Sequence, residues 1–354
     1  MQPEPYPPIT PIVHRSYCVV PAELRTPGLQ DKIEGALYGT IVGDAVGFLT
    51  EFQRPPQIIA QFGTGPFDAW TDRPKRKQLR YRFNRTALWT DDSDQMLLIL
   101  DMFLRNSGNV SELDFARRIF HWAQNGMSIL GDTGCFDIGT TTADSVFHPD
   151  YLTHPRGAAR STKSRNVPGN GAVMRTAVVG VVNFHRLDVV ESNAMRLAGC
   201  THAAPITIAA AVTTSVFIAA ALQGRPVHEA MRLAEEAGAR QLEPAERDNL
   251  RTFHEYLHVT SMEQLHLAER QIGFCMRPIG LAFFLLREGV DFETAIFLTT
   301  VAGGDADTNA AVVGAVLGAV QGKSSIPDKW LDMPHADFLR ERFDLLEGLM
   351  FRDN

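Results

Sequence analysis

The sequence predicts an all-α fold, and three observations carry that expectation. Apolar residues recur mainly at helical spacing, and alternating runs of the kind that mark strands are scarce. Two series of glycines step by four, Gly35, Gly39, Gly43 and Gly47, then Gly314, Gly318 and Gly322, which sets each series along one helix face and lets a neighbouring backbone come close.

Taken in order, the chain opens on an extended arm over residues 1–28. Seven of its 20 prolines fall in the first 27 positions, where they exclude regular helix. The folded domain is expected over 29–354. Helical periodicity then marks Met96 to Leu104, Phe115 to Trp122, Val189 to Leu197, Val227 to Ala239, Ile279 to Leu286 and Phe338 to Met350. Ala203 to Leu222 runs twenty residues without a charge, the length of a membrane span. It is rich in alanine and holds three threonines, a serine and a proline, so it reads as a fully buried helix. Gly63 to Thr86 and Gly131 to Val173 are expected to be long loops and candidate functional surface.

Composition narrows the function. The chain has 354 residues, 45% hydrophobic and 21% charged, which suits one or two folded domains and excludes a disordered chain. A formal charge of -7 is the wrong sign for general attraction to nucleic acid. The four cysteines, Cys18, Cys135, Cys200 and Cys275, never fall as CxxC and read as reduced thiols of a cytoplasmic protein. No apolar signal segment opens the sequence. The run Arg73 to Arg82 holds six basic residues in ten; it reads first as a solvated surface loop, then as an anion-steering rim, with a nuclear address as the further alternative. His14, His121, His254, His258 and His266 read as ordinary surface or helix residues.

Two acidic clusters open apolar helices. The first is Trp89-Thr90-Asp91-Asp92-Ser93-Asp94 and the second Gly303-Gly304-Asp305-Ala306-Asp307-Thr308-Asn309. One acid suffices to cap a helix; three within four residues repel unless something cationic sits among them. The second cluster fails as an EF-hand, with Ala310 where glycine is required and Val316 where glutamate should be bidentate. Gly322-Lys323-Ser324 fails as a phosphate-binding loop, since its first glycine would be Leu317. What remains is a discontinuous oxygen-ligand site for hard divalent cations, Mg²⁺ or Mn²⁺, with charge enough for two ions.

GDAVGFLTE (43–51), WTDDSD (89–94), FDIGTTT (136–142), GNGAVMR (169–175), THAA (201–204) and GGDADTN (303–309) occur in that order. Together they resemble the ADP-ribosylglycohydrolase family, which includes dinitrogenase reductase-activating glycohydrolase and the ADP-ribosylhydrolases. The resemblance implies a single compact, all-helical domain with a binuclear magnesium centre. It implies a hydrolase that cleaves the glycosidic bond between ADP-ribose and a modified acceptor. Carried over by position, Thr90, Asp91, Asp92, Asp305, Asp307 and Thr308 are the metal ligands. Glu51 stands where the family has a loop glutamate at the metal site, and Glu51, Asp137 and Asp92 form the catalytic set. Gly169, Asn170, Gly171 and His202 bind ribose and pyrophosphate. Asp44 is structural. Asp137 tilts the linkage toward arginine.

The substrate is then ADP-ribose or an ADP-ribosylated protein, and the chain is expected to be a monomer with neither a membrane nor a nucleic acid as partner. Two other classes compete: a non-catalytic relative that binds ADP-ribose or serves as a crystallin, and a metal-dependent nucleotide phosphohydrolase. Retention of all six metal positions weighs against the first. Absence of the phosphate-binding loop weighs against the second.

Overall fold

A computed structural model describes residues 6–12, 17–63, 86–242 and 247–352. The helices run Leu29–Gly47 (α1), Pro55–Phe62 (α2), Asp91–Arg105 (α3), Glu112–Asn125 (α4), Thr140–Val146 (α5), Pro155–Ser161 (α6), Ala177–Val181 (α7), Leu187–Ala198 (α8) and Pro205–Leu222 (α9). They continue with Val227–Ala239 (α10), Arg247–Leu257 (α11), Met276–Arg287 (α12), Phe292–Ala302 (α13), Ala306–Gln321 (α14), Asp328–Leu331 (α15) and Ala336–Met350 (α16). Among the described residues no strand forms, and the fold is all-α in one domain, as the periodicity predicts.

The centre is made by α1 and α14, which pack antiparallel at backbone distance. A Cβ on Gly35 would overlap the Gly318 carbonyl, one on Gly39 that of Gly314, one on Gly43 that of Ala310 and one on Gly47 that of Ala306. Gly35 and Gly39 therefore face Gly318 and Gly314, Gly43 and Gly47 face the backbone of Ala310 and Ala306, and no side chain fits at these four positions of α1. Because the pair is antiparallel, the end of α1, which leads to Glu51, lies beside the start of α14, which carries Asp305 and Asp307.

Helix α9 is the charge-free segment. All of its residues except Pro205 and Ile208 are buried inside the domain, and Thr213, Thr214 and Ser215 donate back to the carbonyls four residues earlier. It is long and apolar enough to cross a membrane, and here it serves as a core helix.

The described part of the arm lies along the domain. Tyr6 Oη donates to Asp101 Oδ2 at 2.6 Å, and Asp101 is in a buried ion pair with Arg342 on α16 at 3.0 Å. Further on, Val20 is buried and its N–H bonds the Met350 carbonyl. The expected loop Gly131 to Val173 is corrected by two helices of seven residues, α5 and α6, too short for an apolar period to repeat. Residues 64–85 of the other expected loop, with the basic run 73–82, lie outside the described residues.

Candidate active site

The first acidic cluster is held by Asp44, in the last turn of α1. Its carboxylate accepts from the Thr90 N–H at 2.9 Å and hydroxyl at 2.9 Å, and from the Ser93 N–H at 3.0 Å and hydroxyl at 2.6 Å. The start of α3 is thus fastened to α1. Asp94 is set apart from its neighbours, because its two oxygens accept from the indole N–H groups of Trp89 and Trp122, each at 2.9 Å. Of three crowded acids, Asp91 and Asp92 are left to face the pocket.

The second cluster is tied to the Glu51 loop. Phe52 N–H donates to the Gly304 carbonyl at 2.6 Å, and Gly304 N–H to the Gln53 carbonyl at 2.9 Å. Gly303 and Gly304 take positive φ values of 69° and 74°, and a side chain on either would strike the Gln53 or Leu267 carbonyl. Thr50 anchors the same loop through its hydroxyl on the Thr300 carbonyl at 2.7 Å.

These elements enclose a cavity of about 250 Å³. Of the residues singled out from the sequence, Glu51, Asp91, Asp92, Asp137, Gly169, Asn170, Gly171, His202, Asp305, Asp307 and Thr308 all line it. Thr90 does not; buried behind Asp92, it places its hydroxyl 3.3 Å from Asp92 Oδ2. Carboxylate oxygens of Glu51, Asp137 and Asp307 lie within 4.8 Å of one another. Asp137 is exposed at the mouth with φ 58°, a left-handed conformation uncommon for aspartate. Sequence reasoning missed Phe52, Gly139, Met174 and Gly273 as lining residues, together with Thr140, Thr141 and Thr142. The threonines and Met174 stand inside the quoted motifs, whereas Gly273 has no local signature.

On the opposite wall, Asn170 N–H bonds the Gly273 carbonyl at 2.9 Å and its amide donates to Asp305 Oδ2 at 2.8 Å. The His202 ring lies against Gly171, 3.1 Å from where a Cβ would stand. Burial, with the Arg175 guanidinium adding to it, pushes the His202 pKa down to about 3, so this imidazole is neutral.

The acids are pushed the other way. Burial raises Asp91 well above the usual carboxylate range, with Asp92 and Asp137 adding repulsion. Burial and then Asp44 and Asp305 do the same to Asp92, and burial and then Glu51 and Asp305 to Asp307. Asp92 Oδ1 is buried with no hydrogen-bond partner. No lysine or arginine is among the described lining residues. A buried carboxylate oxygen without a donor, among like charges and with no side-chain cation, is the environment of a divalent metal with oxygen ligands, so the residues fit such a group.

Fold and site define an all-helical protein with an acid-lined pocket, fit for divalent metal, beside a glycine-rich loop, and the sequence comparisons give its family. Over residues 25–351 the chain matches the ADP-ribosylglycohydrolase family, and it belongs to that family, an enzyme family of ADP-ribosyl glycohydrolases. It is 26% identical over 305 residues to the ADP-ribosylarginine hydrolase Tri1 of Serratia proteamaculans (strain 568), covering 85% of this chain and 75% of that one. It is also 26% identical over 331 residues to the ADP-ribosyl-[dinitrogen reductase] glycohydrolase of Rhodospirillum rubrum, covering 91% of this chain and 98% of that one. Among solved structures, an ADP-ribosylglycohydrolase-related protein complex shares the fold, with a TM-score of 0.63 and 24% identity over 92% of this chain and 98% of that one.

Proposed function

We propose that this pocket hydrolyses the bond between ADP-ribose and a modified acceptor, preferring an arginine side chain of a protein, and does so with two magnesium ions. One observation carries the reading: six carboxylates from four chain segments converge in one cavity with the Gly169–Gly171 loop and a neutral histidine. Asp91 and Asp92 would hold the ions from one side, with Thr90 reaching them only through the hydroxyl that stands 3.3 Å from Asp92 Oδ2, and Asp305, Asp307 and Thr308 from the other, with manganese as the alternative for the same oxygen set. When bound, the ions supply Lewis acidity and counter-charge at the ribose hydroxyls.

The chain's own residues divide the remaining work. Gly169 and Gly171 carry no Cβ, so phosphate oxygens can approach the backbone, and Asn170 is held in place by Gly273 and Asp305. Thr201 Oγ1 accepts from Arg175 Nη2 at 2.7 Å and lies 2.8 Å from His202 Nδ1. Donating its hydroxyl proton to Nδ1 places the single imidazole proton on Nε2, beside Gly169 and Gly171, where it can donate to a substrate oxygen. Glu51, buried next to Asp307, takes the proton of the water that attacks C1 of the ribose. The bond from C1 to the acceptor nitrogen breaks with its electron pair going to nitrogen; the guanidine so formed takes up the proton that Glu51 removed from the water and leaves as a guanidinium past Asp137, whose carboxylate offsets its positive charge.

Support for arginine is Asp137 at the mouth, together with the name of the Serratia proteamaculans relative, an ADP-ribosylarginine hydrolase. The test is incubation with ADP-ribosyl-arginine, ADP-ribosyl-serine and O-acetyl-ADP-ribose, with and without Mg²⁺, reading free ADP-ribose. Release from the arginine adduct in Mg²⁺ is expected; no release from any of the three overturns the reading.

A further inference from the structure

The packing of α10 on α11 builds a cluster that the pocket does not use. Helix α10 turns small residues inward, Ala230, Ala234, Ala237 and Gly238 all being buried. The Phe253 ring of α11 lies 2.7 Å from where a Cβ on Gly238 would stand. Buried Phe253 and Leu257 are four residues apart and fix the roll of α11. That roll sets the next residue of each, His254 and His258, one turn apart on the same side, over Glu235 of α10. His254 Nδ1 lies 2.7 Å and His258 Nε2 2.9 Å from Glu235 Oε1. The three ligand atoms lie within 4.8 Å of one another.

The neighbouring arginines do not compete for this carboxylate: Arg232 pairs with Glu236, and Arg251 with Asp248 and Glu255. Burial pushes the Glu235 carboxyl up, but the hydrogen bonds from His258 and His254 outweigh it and hold the group below its usual range, so it is a carboxylate. The two imidazole side chains are 45% and 63% exposed, so an ion reaches them from solvent and the fourth position stays open to water. Bonds of about 2.0–2.2 Å in a tetrahedron place neighbouring ligand atoms roughly 3.3 Å apart, a few tenths beyond the present separations. Half-exposed side chains can make that adjustment by small rotations.

We propose that Glu235, His254 and His258 form a separate metal site, for a borderline divalent ion such as zinc, that clips α11 to α10. Two imidazoles with one carboxylate favour zinc over the hard magnesium ion, and none of the three residues lines the acidic pocket. On binding, each neutral imidazole carries its single ring proton on the nitrogen turned away from Glu235, Nε2 of His254 and Nδ1 of His258, so that His254 Nδ1 and His258 Nε2 give their lone pairs to the metal.

The test titrates tag-free full-length chain, kept in millimolar Mg²⁺, with Zn²⁺ by calorimetry and with Co²⁺ by visible absorption. Expected are one Zn²⁺ per chain, strong Co²⁺ bands of a four- or five-coordinate site, and a Zn²⁺-dependent rise in Tm. All three should be lost in His258→Ala and weakened in Glu235→Gln, while both variants keep the wild-type Tm without zinc and the wild-type hydrolysis in Mg²⁺. Asp92→Ala should leave zinc binding intact even where hydrolysis is lost, which separates this site from the reading of the pocket. Zinc binding that is absent in Mg²⁺, unchanged in His258→Ala or lost in Asp92→Ala overturns the proposal.

Discussion

Asp91 and His202 both line the pocket and are the two ends of one buried chain of hydrogen bonds. Gln95 Nε2 donates to Asp91 Oδ2 at 2.8 Å, and Arg175 Nη1 donates to Gln95 Oε1 at 2.8 Å. Arg175 Nη2 donates to Thr201 Oγ1 at 2.7 Å, which stands 2.8 Å from His202 Nδ1. Arg175 has no exposure to solvent, and burial lowers its pKa only to about 10, so it remains charged at neutral pH. One guanidinium thus orients a group on the acidic wall and a group on the glycine-loop wall.

Cutting that chain on either side of Arg175 should give different defects. Gln95→Met removes the donor on Asp91 and one acceptor of Arg175, which Thr201 and the Leu197 carbonyl still hold, and apparent Mg²⁺ affinity should fall about 10- to 100-fold with the KM for substrate little changed. Thr201→Val releases His202 alone, and should raise KM while Mg²⁺ affinity stays. Steady-state kinetics across a Mg²⁺ series measure both, and equal loss of Mg²⁺ affinity in the two variants would show that the walls are not separately oriented.

Activity should depend on the divalent ions, because the pocket acids have no side-chain cation among the described lining residues. Asp92→Ala or Asp307→Ala should abolish turnover even in saturating Mg²⁺. Mass action on the folded state should also raise Tm, with stabilisation near 2.7 kcal/mol at a concentration about 100 times Kd. Full activity in EDTA, or no thermal shift in millimolar Mg²⁺, contradicts the metal assignment.

The same substitution should have opposite signs at two glycines. Gly43→Ala forces a methyl group into the Ala310 carbonyl and should destabilise by about 1–3 kcal/mol, displacing the two acidic ends that α1 and α14 bring together. Gly348→Ala, on an exposed face of α16 with nothing within 4 Å, should stabilise by about 0.4–1 kcal/mol. Denaturant melts compare the two, and a neutral Gly43→Ala would mean that the helix pair can spread without loss.

These contrasts show where the sequence was legible. Helices with a strong apolar stripe, such as α4 and α16, can be read from periodicity because one face is buried. The glycine spacing announced a close approach, but that the two series meet each other is a long-range fact with no local trace. Likewise, nothing in the composition of WTDDSD separates Asp94, held by the indole of Trp89 in the same motif and by that of Trp122 on α4, from Asp91 and Asp92. Gly273 and Phe52 reach the pocket through the backbone pairing of their loops, which periodicity does not register. His254 and His258 read as ordinary because Glu235 comes from another helix.

Glu347 should make stability fall with rising pH. Burial, then Glu34 and Asp344, raises its pKa to about 7, against a hydrogen bond from Gln30 at 2.5 Å and the charge of Lys323. An acid whose folded pKa lies above the unfolded value binds more protons when folded, so stability drops as pH rises from the unfolded pKa of about 4.5 through 7. Glu347→Gln should therefore raise Tm at pH 8 and change it little at pH 4.5. An equal shift at both values would assign the effect to packing.

Linkage preference rests on the pair of exposed residues at the mouth. The Asp137 carboxylate lies within 4.8 Å of those of Glu51 and Asp307, and Phe52, which also lines the pocket, is 60% exposed. Once protonated, the departing guanidine is a guanidinium cation, so bound metal ions would repel it while a carboxylate and an aromatic ring attract it. Release from ADP-ribosyl-arginine should be faster than from ADP-ribosyl-serine. Asp137→Asn should lose most turnover on the arginine adduct while keeping its affinity for ADP-ribose, and Phe52→Ala should raise KM for that adduct with a smaller change in kcat. Neither contact has a cationic leaving group to act on in the serine adduct, so Phe52→Ala should leave its KM nearly unchanged. Wild-type protein that cleaves the serine adduct efficiently and ignores the arginine adduct would remove Asp137 from this role and leave glycosidic hydrolysis itself standing.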